Sequence, residues 1–346
     1  MSLLITGGAG FVLSHVVKLW LEENSSKRLI IVDNVKVDWE TKQFLSKVEG
    51  RIQYIVADVL DVETWTTEVD QDLVTEVIHG AAVSPISTDP DNSPDWEDPS
   101  RTVRVNVMGT VRVLNWARQL PNLRRFLYVS SGVYGYGYRG SATDLPESAI
   151  GEDAPLEAGA ALYDISKETS EQVVRRFSEL YNISSVCVRP SAVYGPLDRD
   201  TVARRVHPVP YHMAHAAAVG KSFSINCLRA SYDWVYAPDV ARAMIYLIKA
   251  SSPEFSTYNI GYGQISTIKD LVAGIRKVVP GFCVIETDKL DADYFQAVDM
   301  RGGVWRVRST SRLEKEFSWR PTPHVEAMAD YVNWVKCCYR LARPCP

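Results

Sequence analysis

Within its first eleven residues the chain passes from a short apolar run, Leu3-Leu4-Ile5, through Thr6-Gly7-Gly8-Ala9-Gly10-Phe11 into a helical pattern from Val12 to Leu21. A strand, a glycine turn and a helix start in this order form a cradle for a dinucleotide pyrophosphate. Gly7 permits the tight turn and Gly10 lets the backbone approach the phosphates. The helix N-terminus offers unpaired N–H groups and the positive end of its dipole. A third small residue is usual at position 13, and here it is Leu13. Taken singly, the motif also fits an ordinary loop that contains glycines, so its meaning depends on what lies downstream.

Downstream, the β-rich run from Lys27 to Val32 ends at Asp33, 23 residues after Gly10. A carboxylate there accepts hydrogen bonds from the adenosine ribose hydroxyls and repels a 2′-phosphate, which favours NAD over NADP. Asn34 and Val35 follow, and Lys36 is the nearby cation that keeps NADP as the alternative.

Ile52 to Val56, Glu76 to His79, Arg125 to Val129 and Ser185 to Val188 are further β-rich runs, separated by helical patterns such as Arg101 to Arg118 and Tyr163 to Tyr181. This alternation predicts an α/β fold, a Rossmann-type doubly wound parallel sheet covered on both faces, with cofactor groups at the carboxyl ends of the strands. Asp58, just past the third strand, is placed to accept from an adenine amino group, or else it is an ordinary turn aspartate. Ala81 and Ala82, after the fourth strand, let the backbone pass close to the cofactor.

At 346 residues the chain can form one or two domains with a large core. A net charge of −4 gives a polyanion no general attraction, so no nucleic-acid partner is expected. The six cysteines show no paired metal spacing and read as reduced thiols. With neither a basic leader nor an apolar run near the roughly 20 residues that span a bilayer, the expectation is a soluble, cytoplasmic protein without a membrane partner. His207, His212 and His215 cluster without a recognisable carboxylate or cysteine beside them, so no metal site is expected. The stretch from Ser84 to Pro99 reads as a long irregular loop by the cofactor cleft, and Tyr134-Gly135-Tyr136-Gly137-Tyr138 as a loop whose tyrosines line the pocket.

The strongest chemical signal is Tyr163-Asp164-Ile165-Ser166-Lys167. On a helix, Tyr163 and Lys167 lie one turn apart on one face, about 6 Å along the axis. The lysine ammonium, together with the positive nicotinamide of an oxidised cofactor, lowers the phenol pKa from its usual value of about 10, so that tyrosine can serve as acid or base near neutrality.

With that pair in place, the ordered set TGGAGF, Asp33, HGAA at 79–82, NVMGT at 106–110, YVSSGVYG at 128–135, YDISK at 163–167 and RPSAVYGP at 189–196 resembles the extended short-chain dehydrogenases/reductases, in their NAD-dependent epimerase/dehydratase branch. DWVYAPDVARA at 233–243, YNIG at 258–261 and STSRLEKEFSWRPT at 309–322 extend the resemblance over nearly the whole chain. It implies a Rossmann domain of residues 1–190, rejoined by about 234–262, and a smaller α/β substrate domain of 191–233 and 263–346. Tyr163 becomes the acid/base and Lys167 its partner on the nicotinamide ribose. A strand-end serine holds the substrate oxygen, Ser131 by one count and Ser130 by the other. Phe11, Val12, Val59, Asn106, Pro190 and Val193 join the cofactor set, while Tyr134, Ser191, Arg229 and Arg301 face the substrate. A homodimer through the helices at 101–118 and 163–181 is implied as well.

The departures bear on the substrate. Dehydratases of this branch carry an Asp-Glu pair where this chain has Gly132 and Val133, and elimination of water needs both an acid and a base. Three positions that hold a nucleotide in related epimerases are also changed, to Ala192, Tyr232 and Gly303. The leading expectation is therefore an NAD-dependent oxidoreductase that interconverts a secondary alcohol and a ketone on a small sugar-like, polyol-like or specialised-metabolite substrate. A nucleotide-sugar epimerase with tightly held NAD is the alternative, and a non-catalytic NAD sensor is disfavoured by the intact Tyr163 and Lys167.

Overall fold

The computed structural model describes residues 2–84, 98–132, 149–154, 161–201, 204–226, 228, 231–288, 292–294 and 307–341. The first half runs β1 (Ser2–Thr6), α1 (Phe11–Glu23), β2 (Leu29–Asp33), α2 (Trp39–Leu45), β3 (Ile52–Val56), α3 (Val62–Trp65), β4 (Val74–His79), α4 (Pro99–Thr102), α5 (Gly109–Ala117), β5 (Arg125–Val129), α6 (Leu162–Tyr181) and β6 (Ser185–Pro190). The second half adds β7 (Ala192–Tyr194), α7 (Val209–Ala218), β8 (Phe223–Ile225), β9 (Ser231–Tyr232), β10 (Trp234–Tyr236), α8 (Ala237–Lys249), β11 (Thr257–Ile260), β12 (Ser266–Thr267), α9 (Ile268–Val278), β13 (Val284–Glu286), α10 (Ser311–Phe317) and α11 (His324–Leu341).

Seven strands form one sheet in the order β11-β6-β5-β4-β1-β2-β3, and every neighbouring pair is parallel. Parallel pairing demands crossover helices on both faces, so these strands read as continuous apolar runs. Their alternate residues serve two cores. Leu3, Ile5, Leu29 and Ile31 pack with α1 and α8 on one face, while Leu4, Ile30, Val32, Phe126 and Tyr128 pack with α5 and α6 on the other. A further core joins α7, α9 and α11 through Met213, Leu271, Ile275, Met328 and Tyr331.

The helix expected from 101 to 118 is interrupted. Between α4 and α5, Val103–Met108 widens into a π-helical stretch. This wider turn, of a kind often found at functional sites, leaves the Asn106 carbonyl accepting from Thr110 Oγ1 at 2.6 Å and from Ser170 Oγ on α6 at 2.9 Å.

The irregular position 13 is matched elsewhere. Leu13 is buried against the end of β4, where a Cβ on Gly80 would come within 2.4 Å of Leu13 Cδ1. The space usually left by a small residue on α1 is thus supplied from the strand side. Gly80→Ala should destabilise the protein by about 1–3 kcal/mol in denaturant unfolding, and Leu13→Ala in the same chain should relieve that clash. Strict additivity of the two changes would contradict the pairing.

Buried histidines set the acid limit of this fold. Burial lowers His15 to about 4, His79 to about 3 and His324 to about 4, from 6.5. In the unfolded chain they take up protons near pH 6.5, so below that value the unfolded state binds more protons and stability falls with pH. The slope is up to about 1.4 kcal/mol per pH unit for each histidine until its native pKa is reached. Urea midpoints measured near pH 7 and near pH 5 should therefore fall in acid, and equal midpoints would contradict neutral burial.

Candidate active site

The carboxyl ends of the sheet gather the cofactor residues expected from the sequence. After β1, Gly7 adopts φ +74°, with its N–H donating to Val32 O at 2.8 Å, and a Cβ there would stand 2.8 Å from Ala81 N. Only glycine meets both demands. Gly10 is the N-cap of α1 and supplies no side-chain cap, so the first N–H groups of that helix, at Phe11 and Val12, are kept for an anion. This arrangement fits the pyrophosphate of a dinucleotide.

Asp33 ends β2, and its Oδ2 accepts from Ala9 N at 3.1 Å while Oδ1 accepts from Val35 N at 3.3 Å. Burial raises its pKa, and the backbone donors at Val35, Ala9 and Asn34 oppose that rise. The acid thus braces the glycine turn as well as standing where a ribose would lie. Asn34 is exposed beside it. Asp58 follows β3 and makes the turn bond, Leu60 N donating to its Oδ1 at 2.9 Å, while Val59 is buried under Gly109. Ala81 and Ala82 follow β4, Pro190 ends β6, and Val193 of β7 packs near Phe11 and Val12.

Asn106 is almost wholly enclosed. Its Oδ1 accepts from Val83 N at 2.8 Å, and its Nδ2 donates to Val83 O at 3.0 Å and to Ser166 Oγ at 2.9 Å. It therefore clasps the segment after β4 to α6, a structural task for a residue expected at the cofactor. Behind it, Thr110 donates to Asn106 O, so the Thr110 hydroxyl must accept from His79 Nε2 at 3.0 Å. His79 Nδ1 then accepts from Thr6 Oγ1 at 2.7 Å. The His79 link had no signal in the sequence beyond the HGAA run.

Tyr163 and Lys167 share the inner face of α6. Lys167 is 3% exposed, and its Nζ donates to Val129 O at the end of β5 at 2.9 Å. The same Nζ lies 5.8 Å from the centre of the Tyr163 ring and 5.3 Å from that of Tyr128. Burial lowers Lys167 to about 8, and the Glu171 carboxylate one turn on opposes this. Glu171 is held by Arg189, with Nη2 at 2.7 Å from Oε2 and Nε at 2.9 Å from Oε1.

The Tyr163 phenol is shifted upward by the protein's own groups taken alone. In the protein chain its pKa is raised, first by burial, then lowered in part by a hydrogen bond from Ser131; Asp164 raises it further and Arg204 lowers it. Lys167 is spent on the Val129 carbonyl, so the pair alone does not depress the phenol, and the cationic nicotinamide must supply that effect. The same bond distinguishes the two serines. Ser131 is the one joined to Tyr163, whereas Ser130, also buried, continues the sheet through its N–H to Val188 O at 2.8 Å.

Two residues that sequence reasoning missed hold this corner. Arg308, 3% exposed, donates from Nε to Gly132 O at 2.9 Å, next to Ser131. Asp233, at the head of the DWVY segment, accepts from Arg308 N at 2.9 Å and from Tyr262 N at 2.6 Å. Burial raises its pKa to about 6 against these donors. Ser191, expected on the substrate, is buried and donates to Asp233 O at 2.6 Å, so it serves this hub instead. The histidine cluster also differs from expectation, because the loop after β7 folds back and sets His207 between Asp198 and Asp200, each at 2.9 Å. Among the described residues no group of three histidine, cysteine or carboxylate side chains is arranged so that it could hold a metal ion. Tyr134, Arg229, Arg301 and Gly303, the tyrosine tract and most of the segment from Ser84 to Pro99 lie outside the described residues.

A parallel seven-stranded sheet, a glycine turn with an uncapped helix and a Tyr-Lys-Ser group at one strand end define a dinucleotide-dependent enzyme. Residues 3–261 match the model of the NAD dependent epimerase/dehydratase family, and the chain belongs to it, with NAD as its cofactor. A putative UDP-glucose 4-epimerase of Methanocaldococcus jannaschii is 25% identical over 335 residues, covering 96% of this chain and 98% of that protein. The dTDP-glucose 4,6-dehydratase 1 of Escherichia coli is 26% identical over 353 residues, covering 96% and 92%. The structure of Thermotoga maritima UDP-glucose 4-epimerase with UDP-glucose superposes with a TM-score of 0.76 at 20% identity, over 98% of this chain and 100% of that one.

Ser131→Ala should lower kcat by about 10- to 1,000-fold with little change in NAD affinity, while Ser130→Ala should leave kcat nearly unchanged. The reverse ranking in steady-state assays would transfer the substrate contact to Ser130.

Proposed function

We propose that the protein is a nucleotide-sugar epimerase that oxidises and re-reduces one secondary alcohol of its substrate while keeping NAD bound. NAD, when bound, supplies the hydride acceptor and donor. Tyr163 takes the hydroxyl proton and later returns it, and Ser131 holds the same oxygen. Lys167 keeps the Tyr163 face of α6 pinned to the strand end and offers its ammonium to the nicotinamide ribose. Gly132 and Val133 leave out the acid–base pair that elimination of water needs, which sets the chain apart from the dehydratases it resembles.

The observation that carries this reading is the convergence of Tyr163, Ser131 and Lys167 beside the glycine turn, in a chain similar to a putative UDP-glucose 4-epimerase from end to end. It displaces the leading expectation drawn from the sequence, a dehydrogenase or reductase on a small substrate. That second reading keeps one support. Tyr232, where the resemblance calls for an arginine, is stacked on Trp234 with ring centres 5.0 Å apart, so this position offers no cation to a phosphate. We also propose a homodimer through α4, α5 and α6, supported by the exposed Val103, Met108 and Ile165 on that surface. No helix among the described residues is long and apolar enough to cross a membrane.

Purified protein incubated with UDP-glucose and, separately, UDP-glucuronate should yield the 4-epimer of one of them by proton NMR, with no NADH absorbance appearing. Net NADH from added NAD and a sugar, polyol or hydroxy acid, without isomerised nucleotide sugar, would overturn the epimerase reading in favour of the second.

A further inference from the structure

Arg204 lies in the loop between β7 and α7, outside every motif that the sequence singled out. Its Nε donates to Asp198 Oδ1 at 2.6 Å and its Nη2 to Asp198 Oδ2 at 3.0 Å, with Val193 O a further 3.4 Å contact. Asp198 is 1% exposed and takes a second hydrogen bond from His207 Nδ1 at 2.9 Å, so the carboxylate is fixed from both sides. The guanidinium carbon stands 5.0 Å from the ring centre of Phe11, the first residue of α1. One edge of the guanidinium is therefore locked and its plane is set. Nη2 is used on both Asp198 and Val193 O, and Nη1 donates to no group among the described residues.

The position of this cation matters more than its partner. Phe11 and Val193 border the cofactor cleft, and the Arg204 charge is felt at the Tyr163 phenol, which it lowers, as the phenol in turn raises Arg204. The other charge acting on that phenol is Asp164 of α6 itself, while Lys167 is directed at Val129 O. The pair is largely buried, so Arg204 also compensates the Asp198 charge. A guanidinium whose plane is fixed in this way keeps the two N–H groups of Nη1 as charged donors to an oxyanion.

We propose that Arg204 determines substrate specificity by binding, through Nη1, an anionic group of the substrate, a carboxylate or a phosphate, beside Phe11 and Val193. The proposal deepens the epimerase reading and rests on it, and it supplies from another loop the cation that Tyr232 does not provide.

The test is a calorimetric titration of NAD-loaded wild type, Arg204→Gln and Arg204→Lys with three probes: UDP-glucuronate, UDP-glucose and free glucuronate. Arg204→Gln should weaken binding by about 10- to 100-fold, and Arg204→Lys, which keeps the charge but loses the guanidinium that Asp198 orients, by at least about fivefold. Equal losses for the two nucleotide sugars identify the diphosphate as the anion. Losses for UDP-glucuronate and glucuronate, with UDP-glucose unchanged, identify the carboxylate. Unchanged affinity for all three probes in either folded variant overturns the proposal, and so does a wild type that binds none of them. NAD affinity equal to wild type shows that a variant is folded. A protein that binds these anions through Arg204 but isomerises no nucleotide sugar refutes the epimerase reading instead, whereas isomerisation by Arg204→Gln with unaltered KM refutes this one alone.

Discussion

A single buried hydrogen bond, from the Lys167 ammonium to the carbonyl of Val129, ties the helix that carries Tyr163 to the strand end that leads to Ser131. An ammonium with so little contact with water is costly unless it is paired. The carbonyl satisfies one of its protons, and the Glu171–Arg189 pair one turn along α6 places a negative charge in reach without leaving it uncompensated. Removing one member of such a buried pair typically costs about 3–5 kcal/mol, so Glu171 and Arg189 belong to the support of the site although neither faces the cleft.

Around that bond the backbone is fastened at several removes. Asn106 joins the segment after β4 to α6, and the Thr6–His79–Thr110 chain joins β1 and β4 to the same asparagine. From the other side, Arg308 reaches Gly132 while its own N–H is held by Asp233. The result is a Ser131–Tyr163 contact fixed from both flanks. In the proposed role, such a pair keeps its geometry without help from the substrate, as a proton transfer over hydrogen-bond distance requires.

Much of the first half was legible because parallel strands buried on both faces read as unbroken apolar runs, and because Gly7, Gly10 and Asp33 answer local needs of the turn and the strand end. That Tyr163 and Lys167 share one face of a helix was legible from their spacing, and their meaning came from the ordered motifs around them. The π-helical stretch was not, since Asn106 earns its conformation from Val83 and Ser166, 23 and 60 residues away. Arg308 and Gly132 are 176 residues apart, and no local pattern announces such a contact. The bond from Lys167 to Val129 O was hidden for a related reason: spacing shows that a lysine is near Tyr163, but only the fold shows that one of its protons is directed at a carbonyl.

The fit of Leu13 into the hollow at Gly80 also bears on how the glycine fingerprint is defined. Two side chains cannot occupy that volume together, whereas two small residues leave only a void, which weakens packing without blocking it. The two positions therefore share one volume, and a fingerprint that demands a small residue at one fixed place describes half of a shared space.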